Sequence, residues 1–190
     1  MSVLVAYASA FGSTAEIAER IASRMREAVN DVECRPVDDI EATSGYDAVI
    51  LGSAIHNQEW LPAAVSFVSR FSAELEAMPV WCFSVGMSDG LPKFLRARGA
   101  ALQQERLAQY LRPQVPLRDH KLFSGVYPAA QMPAMFRGLF RLAGGRFGDL
   151  RDWDAIDAWA GEVSAQLAGP PSPGPPSPGP PSPGPPSPGQ

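Results

Sequence analysis

Five short apolar runs alternate with helical patterns along the chain, and this alternation restricts the fold more than any other feature of the sequence. The predicted strands are Val3–Tyr7, Val32–Val37, Asp47–Ser53, Pro79–Val85 and Lys121–Tyr127. The predicted helices are Ser13–Val29, Leu61–Leu75, Leu91–Leu111 and Trp153–Leu167. Strands that alternate with helices are typical of a parallel, doubly wound sheet. Because crossovers are right-handed, we predict an α/β fold with a five-stranded parallel sheet in the order 2-1-3-4-5 and helices on both faces.

The loops after strands 1, 3 and 4 are the candidate functional segments of this fold. In such sheets a ligand lies beyond the carboxyl ends of the strands, at the switch point between strands 1 and 3. Each loop is small and polar next to its strand and carries a larger side chain further out. We therefore expect these loops to converge on one crevice.

The first loop joins an apolar run to a helix N-terminus, where unpaired backbone N–H groups and the helix dipole favour an anion, most often phosphate. No Lys follows Gly12, which excludes a nucleotide-triphosphate loop, and its single Gly excludes a dinucleotide fingerprint. The remaining hydroxyls and amides suit a terminal phosphate monoester. The alternative is an ordinary turn with Ser13 or Thr14 as N-cap. The candidate phosphate-binding residues are Ser9, Phe11, Gly12, Ser13, Thr14 and Ala15.

The second and third loops offer space for a flat conjugated ring, with backbone amides for its polar edge. Trp60 either stacks on this ring or packs as a helix-start staple against the second helix. His56 is interpreted as a surface residue or a hydrogen-bond donor rather than a general base, because it lacks an orienting carboxylate other than Glu59. The candidate ring-binding residues are Ser53, Ala54, Ile55, His56, Asn57, Trp60, Ser84, Val85, Gly86 and Met87.

Composition and charge exclude several classes of protein. The net charge of −4 argues against nucleic acid as a partner. Cys34 and Cys82 lie in predicted strands without a C-x-x-C motif, so we expect buried reduced thiols, and the two histidines have no metal-ligand spacing. Met1 and Ser2 run straight into the first strand, so we expect no signal peptide and a cytoplasmic location.

Two segments depart from the alternating pattern. Residues 169–190 consist of Gly, four copies of P-P-S-P-G and a final Gln, which predicts a disordered tail behind a single domain at 1–168. A ligand for a proline-binding domain is the alternative for this tail. Residues 132–147 carry Arg137, Arg141 and Arg146 among large apolar side chains. This amphipathic segment predicts contact with a membrane surface, a cover over a hydrophobic substrate, or a cover helix on the sheet edge.

The chain resembles the flavodoxin-like FMN proteins in its first loop, where Ser9, Gly12 and Thr14 stand at matching positions. It is more closely similar to the flavodoxin-type menaquinone-dependent protoporphyrinogen oxidases. That resemblance rests on the segments 123–127 and 136–142, the pair Gly144-Gly145, the segment 148–154 and Trp159. It implies FMN as cofactor and oxidation of a hydrophobic porphyrinogen in heme biosynthesis, with electrons passed to a quinone.

Two other functions stay open at this point. The chain is either the enzyme just described, a flavodoxin electron carrier without a substrate of its own, or a flavin-free binding module. No side chain is singled out as a catalytic acid or base, since the flavin would carry the redox chemistry.

Overall fold

The computed structural model describes residues 1–87, 90 and 93–169, without the side chains of 93–98 and 131. The disordered tail predicted from Gly169 onward lies, except for Gly169 itself, outside these residues, as do Leu91 and Pro92 of the third predicted helix. The elements in chain order are β1 (Ser2–Ala8), α1 (Ser13–Met25), β2 (Asp31–Pro36), β3 (Ala48–His56), β4 (Glu59–Trp60), α2 (Pro62–Arg70), α3 (Ser72–Glu76), β5 (Val80–Gly86), α4 (Lys93–Leu111), β6 (Leu117–Ser124), β7 (Val126–Tyr127), α5 (Ala134–Leu142), β8 (Gly148–Asp149) and α6 (Trp153–Ala168).

The predicted sheet is confirmed. Five parallel strands lie in the order β2-β1-β3-β5-β6, and the short β4 pairs antiparallel with the end of β3. The registers Ala8 to Ser53 and Ala54 to Val85 bring the carboxyl ends of the three central strands to the same edge. This edge is where the loops after β1, β3 and β5 meet, as the doubly wound topology requires.

Helices cover both faces of the sheet, and each face has its own core. Alternate strand residues point to opposite faces, so Val5 and Ile50 pack with α1 and α6, whereas Leu4 and Leu51 pack with α2 and α4. These strand residues are fully buried. The central strands are apolar on both faces because both are covered, which explains their continuous apolar runs.

Several elements differ from their predicted bounds. Helix α1 ends at Met25 rather than Val29, and β3 continues to His56 rather than ending at Ser53. The helix predicted over Leu61–Leu75 is two helices, since the chain leaves helical geometry at Phe71, where φ is −109° and ψ is 23°. The last strand was predicted over Lys121–Tyr127, but it begins at Leu117 and ends at Ser124. Gly125 then turns the chain: its N–H donates to Gly86 O and its carbonyl accepts from Leu150 N. Val126 and Tyr127 consequently pair with Asp149 and Gly148 instead of continuing the sheet.

Side chains tie the segment after α5 to the first helix. Arg151 donates to Asp149 at 2.7 Å and to Glu16 of α1 at 2.5 Å, and its guanidinium lies 4.6 Å from the centre of the Trp153 ring. Arg20 of α1 forms a two-pronged ion pair with Asp157 of α6. These contacts hold β8 and α6 against α1 and therefore next to its N-terminus.

Both cysteine thiols are free, and each lies in the strand that was predicted for it; Cys82 is buried as expected, whereas Cys34 is only partly buried. Burial and the neighbouring Glu19 raise the pKa of Cys34 to about 12, and burial raises the pKa of Cys82 even further. Thiols with such raised pKa values stay protonated at neutral pH and are poor nucleophiles. In the described part of the chain, no helix is long and apolar enough to cross a bilayer.

Candidate functional site

A cavity of about 600 Å³ opens where the carboxyl ends of β1, β3, β5 and β6 converge. This is the edge at which the doubly wound topology predicts a ligand. The volume lies within the range of small-molecule and cofactor sites. The residues that line it are Ala10, Phe11, Ser13, Ala54, Ile55, His56, Asn57, Leu61, Val85, Gly86, Met87, Gly125, Val126 and Tyr127.

The first loop is shaped by Gly12, which precedes α1. Gly12 has a φ of 92°, in the left-handed region that favours glycine, and its N–H donates to Ser9 Oγ at 3.0 Å. The Ser9 hydroxyl thus holds the loop closed, which is a structural task in addition to any contact with a ligand. Gly12 provides no side chain to cap α1, so the predicted alternative of Ser13 or Thr14 as N-cap is not what the structure shows.

Thr14 places a hydroxyl in the first turn of α1 without a hydrogen-bond partner. The side chain is fully buried, and its Oγ1 neither donates nor accepts within the described residues. A buried hydroxyl without a partner costs about 1–3 kcal/mol. Ser13, its neighbour, lines the cavity, whereas the predicted phosphate-binding residues Ser9, Gly12, Thr14 and Ala15 are not among the lining residues. The uncapped helix and this hydroxyl together form a neutral corner in which an anion would find unpaired hydrogen-bond donors.

The second loop is a tight β-hairpin, which the sequence analysis did not foresee. Asn57 and Gln58 both have positive φ, 50° and 67°, and form a two-residue turn between His56 and Glu59. Such turns need left-handed residues at both positions, and Asn is among the residues that adopt this geometry. The hairpin brings Ala54 through Asn57 to the cavity wall, with His56 and Asn57 exposed at its rim.

Three predicted ring-binding residues do not reach the cavity. The Trp60 indole N–H donates to Ser84 Oγ at 2.7 Å, and Ser84 Oγ is also 2.8 Å from His120 Nε2. Ser53 Oγ accepts from Leu61 N at 3.0 Å and donates to Ala54 O. All of these side chains are buried on the α2 side of the sheet or within the strands. For Trp60, the structure favours the packing alternative over stacking on a ligand ring.

The third loop and the end of β6 close the cavity opposite the hairpin. Val85, Gly86 and Met87 line it, as expected for the residues after β5. Gly125 packs so closely that a Cβ there would lie 2.8 Å from Val85 Cγ1 and 3.0 Å from Ser13 Oγ. The absence of a side chain at this position therefore lets β6 approach the first loop.

Sequence reasoning missed five lining residues: Ala10, Leu61, Gly125, Val126 and Tyr127. Ala10 and Leu61 flank predicted loop residues. The other three follow β6, whose carboxyl end reaches the same edge as the other strands. Their place after a strand end could have identified these three residues. The strand was predicted to continue to Tyr127, however, so the turn at Gly125 was not recognised.

The described lining combines apolar with neutral polar side chains. Among the lining residues there is no Asp, Glu, Lys or Arg, and Phe11 is 78% exposed at the rim. A ligand phosphate would consequently be held by hydroxyls and backbone amides rather than by a cation, as the sequence predicts. The described part of the chain also has no group of three His, Cys, Asp or Glu side chains that could hold a metal ion.

An aromatic cluster extends the cavity wall toward α5. Tyr127 stacks on Phe147 with ring centres 5.4 Å apart, and Phe140 contacts both rings, at 6.4 and 5.0 Å. Gly145 admits the Phe140 ring, since a Cβ there would lie 2.4 Å from it. Phe140 of α5 and Phe147 thus link the segment 132–147 to Tyr127 in the cavity wall.

Comparison with known proteins agrees with this fold. The sequence profile of the flavodoxin domain matches residues 4–142. Probable flavodoxin 1 of Bacillus subtilis (strain 168) is 30% identical over 125 residues, which cover 58% of this chain and 78% of that protein.

Solved structures show the same fold at low identity. A flavodoxin from the domain Archaea has a TM-score of 0.57 at 15% identity and covers 88% of this chain and 99% of its own. Oxidised flavodoxin 1 from Bacillus cereus has a TM-score of 0.53 at 19% identity, with 85% and 96% covered. With the matched profile and the 30% identical relative, the chain belongs to the flavodoxin domain family.

Proposed function

We propose that this chain is an FMN-binding redox protein that transfers electrons, in keeping with its place among flavodoxin domains. The observation that carries the proposal is the buried, unpartnered hydroxyl of Thr14 in an uncapped helix turn beside a cavity of about 600 Å³. A phosphate monoester at this corner would give the hydroxyl and the first-turn N–H groups of α1 their missing acceptor.

The residues present fit this cofactor. The first turn of α1, with Ser13 and Thr14, would hold the phosphate without a cationic side chain. The apolar wall formed by Ile55, Val85 and Val126 would take a flat ring, with backbone amides of the hairpin and of Met87 near its polar edge. When bound, FMN supplies one- and two-electron redox chemistry.

The protein's own contribution is position and electrostatics. The described lining contains no Asp, Glu, Lys or Arg that would favour or oppose a change in ring charge. His56 and Asn57 are exposed at the rim of the cavity. No lining residue needs to act as a general acid or base for electron transfer.

A matched pair of threonines tests the cofactor assignment. Thr14 and Thr43 are both fully buried with unpartnered hydroxyls, but Thr14 lies in the first turn of α1 next to the lining residue Ser13, whereas Thr43 lies before β3. We expect Thr14→Val to weaken FMN binding about 10-fold or more, because a hydrogen bond to a charged group is worth about 1.5–3 kcal/mol. Thr43→Val should leave it unchanged. The measurement is the quenching of FMN fluorescence on titration with purified protein.

Riboflavin, which lacks the phosphate, provides the second arm of this test. It should bind both variants and the parent protein alike, since only the phosphate contact is altered. A parent protein that is purified colourless and binds neither compound would contradict the proposal and favour a flavin-free binding module. Equal FMN binding by both threonine variants would remove Thr14 from the site.

A second candidate is the quinone-linked oxidation of a hydrophobic porphyrinogen-like donor, which the resemblance of the insertion implies. The aromatic cluster of Tyr127, Phe140 and Phe147 supports it, because it adds an apolar surface next to the cavity wall. The test is anaerobic turnover of a porphyrinogen with a menaquinone analogue as acceptor. A Phe140→Ala variant should lose this turnover while keeping its FMN. A parent protein that binds FMN but shows no turnover would leave electron transfer as the function.

A further inference from the structure

Helix α5 turns its apolar side away from the protein. Met135, Leu139 and Leu142 are 80, 66 and 86% exposed, and no residue of the helix is buried. Their spacing of four and three residues places them on one helix face. The three side chains thus form a contiguous apolar stripe in water.

The side of α5 that meets the rest of the protein carries Phe140 and Arg137, whereas Arg141 and the following Arg146 are exposed. Arg137 Nε donates to Met132 O at 2.8 Å, and the Arg141 guanidinium lies 5.6 Å from the centre of the Phe147 ring. Phe140 contributes the aromatic anchor of the helix. A surface helix normally buries its apolar stripe against the core. The stripe of Met135, Leu139 and Leu142 is not buried against the described residues and is therefore accessible to a partner.

We propose that the exposed stripe of α5, defined by Met135, Leu139 and Leu142, binds to the surface of a bilayer that contains anionic lipids. Residues 128–148 contain three arginines and no acidic residue, in a chain with a net charge of −4. An apolar face with basic residues beside it is what an interfacial helix uses: apolar side chains enter the acyl boundary and arginines reach the headgroups.

The dimensions of α5 favour a lipid surface over a protein partner. The helix has nine residues and is about 14 Å long, whereas a standard protein interface buries about 800 Å² on each partner. A bilayer needs no matching shape and supplies negative charge.

Lipid binding through α5 does not depend on the cofactor. None of the three residues of the stripe lines the cavity. Because Tyr127 belongs both to the aromatic cluster and to the cavity wall, binding would place the cavity near the lipid surface. A protein with or without FMN should therefore bind vesicles to the same extent.

The test is vesicle flotation with the full chain and a matched pair of leucine variants. Leu139 of α5 and Leu102 of α4 have similar exposure, 66 and 63%. The vesicles are phosphatidylcholine alone and phosphatidylcholine with about one third phosphatidylglycerol. We expect the parent protein to float with the anionic vesicles, Leu139→Ser to bind several-fold more weakly, and Leu102→Ser to bind like the parent. A Met135→Ser, Leu139→Ser, Leu142→Ser triple variant should bind at least tenfold more weakly, with an unchanged melting temperature and FMN content.

Three results would overturn the proposal. The first is a parent protein that floats with neither vesicle. The second is equal binding of the parent and the triple variant. The third is a parent dimer in sedimentation equilibrium that Leu139→Ser converts to monomer, which would assign the stripe to a second copy. Because FMN content is measured in every sample, failure of lipid binding is distinguishable from failure of the proposed redox function.

Discussion

The Trp60 indole N–H and the Ser84 hydroxyl are joined by a buried hydrogen bond of 2.7 Å that links β4 to β5. Ser84 also contacts His120 of β6, so a chain of three polar side chains crosses the sheet behind the cavity. The hydrogen bond between Trp60 and Ser84 fixes the hairpin that forms one cavity wall. It also explains why Trp60 and Ser84, both predicted to surround a ligand, belong to the framework of the site.

Removing the Ser84 hydroxyl should destabilise the fold rather than the cofactor complex. Ser84→Ala would leave the Trp60 N–H and a ring nitrogen of His120 buried without this partner. We expect a loss of about 2–3 kcal/mol in the free energy of unfolding, measured by urea denaturation. Ser69→Ala, at an exposed position of α2, should change it little. A Ser84→Ala protein with parental stability would show that the bond contributes nothing.

The buried His120 should make stability depend on pH. Burial lowers the pKa of His120 from 6.5 to about 4, against an opposing effect of Asp119. The unfolded chain therefore binds a proton that the folded protein does not, so the stabilisation is complete above about pH 6.5 and is lost as the pH falls toward 4. This loss amounts to about 3 kcal/mol.

His120→Gln provides the comparison for this pH dependence. Urea denaturation between pH 7.5 and 4.5 should show a steeper loss of stability in the parent than in the variant. Arg151 and Arg20 lower the pKa values of Asp149 and Asp157, so these carboxylates stabilise both proteins. Both proteins lose this stabilisation at the acidic end of the pH range. Parallel curves for the two proteins would contradict the role of His120.

Gly52 of β3 should not tolerate a side chain. A Cβ at this position would lie 2.0 Å from Phe83 Cζ, because the ring packs over the glycine. We expect Gly52→Ala to lower the free energy of unfolding by about 3 kcal/mol through overpacking. A second substitution in the same chain, Phe83→Leu, should restore part of this lost stability. Gly161→Ala in α6, where a Cβ meets nothing within 4 Å, should instead stabilise by about 0.5–1 kcal/mol. Thermal melts of the variants measure both effects.

Gly12→Ala should impair the first loop through backbone strain rather than through a clash. A Cβ at Gly12 has open space, but the φ of 92° is unfavourable for an L side chain by about 1–2 kcal/mol. We expect weaker FMN binding as the loop relaxes away from this geometry. Gly45→Ala, also in open space and without a positive φ, is the control. Equal FMN affinity in both variants would show that the phosphate corner does not need this loop conformation.

The topology could be predicted because its signals are local and repeated. Apolar runs in β1, β3 and β5 mark buried strands, and right-handed crossovers leave few strand orders. The first loop could likewise be placed, since a small hydroxyl-rich turn between a strand and a helix is visible in sequence. Lining residues such as Ile55 and Val85 follow directly from their positions at strand ends.

The direction of side chains at the strand ends could not be predicted. A strand residue faces one side or the other according to register, and the unexpected hairpin at Asn57 changed which residues face the cavity. Trp60 lies only three residues from Asn57, yet its ring is buried on the α2 side. The turn at Gly125 likewise depends on bonds to Gly86 and Leu150, which are distant in sequence.

The sequence alone determined a parallel α/β sheet, the edge at which the cavity opens and the neutral loop at the start of α1, because strand patterns and helix termini act over a few residues. Tertiary structure decided which side chains form the cavity wall and that α5 faces outward with its apolar stripe. An amphipathic pattern specifies that a helix has two faces, but only the packing of Phe140 and Arg141 against residues around Phe147 determines which face meets the protein.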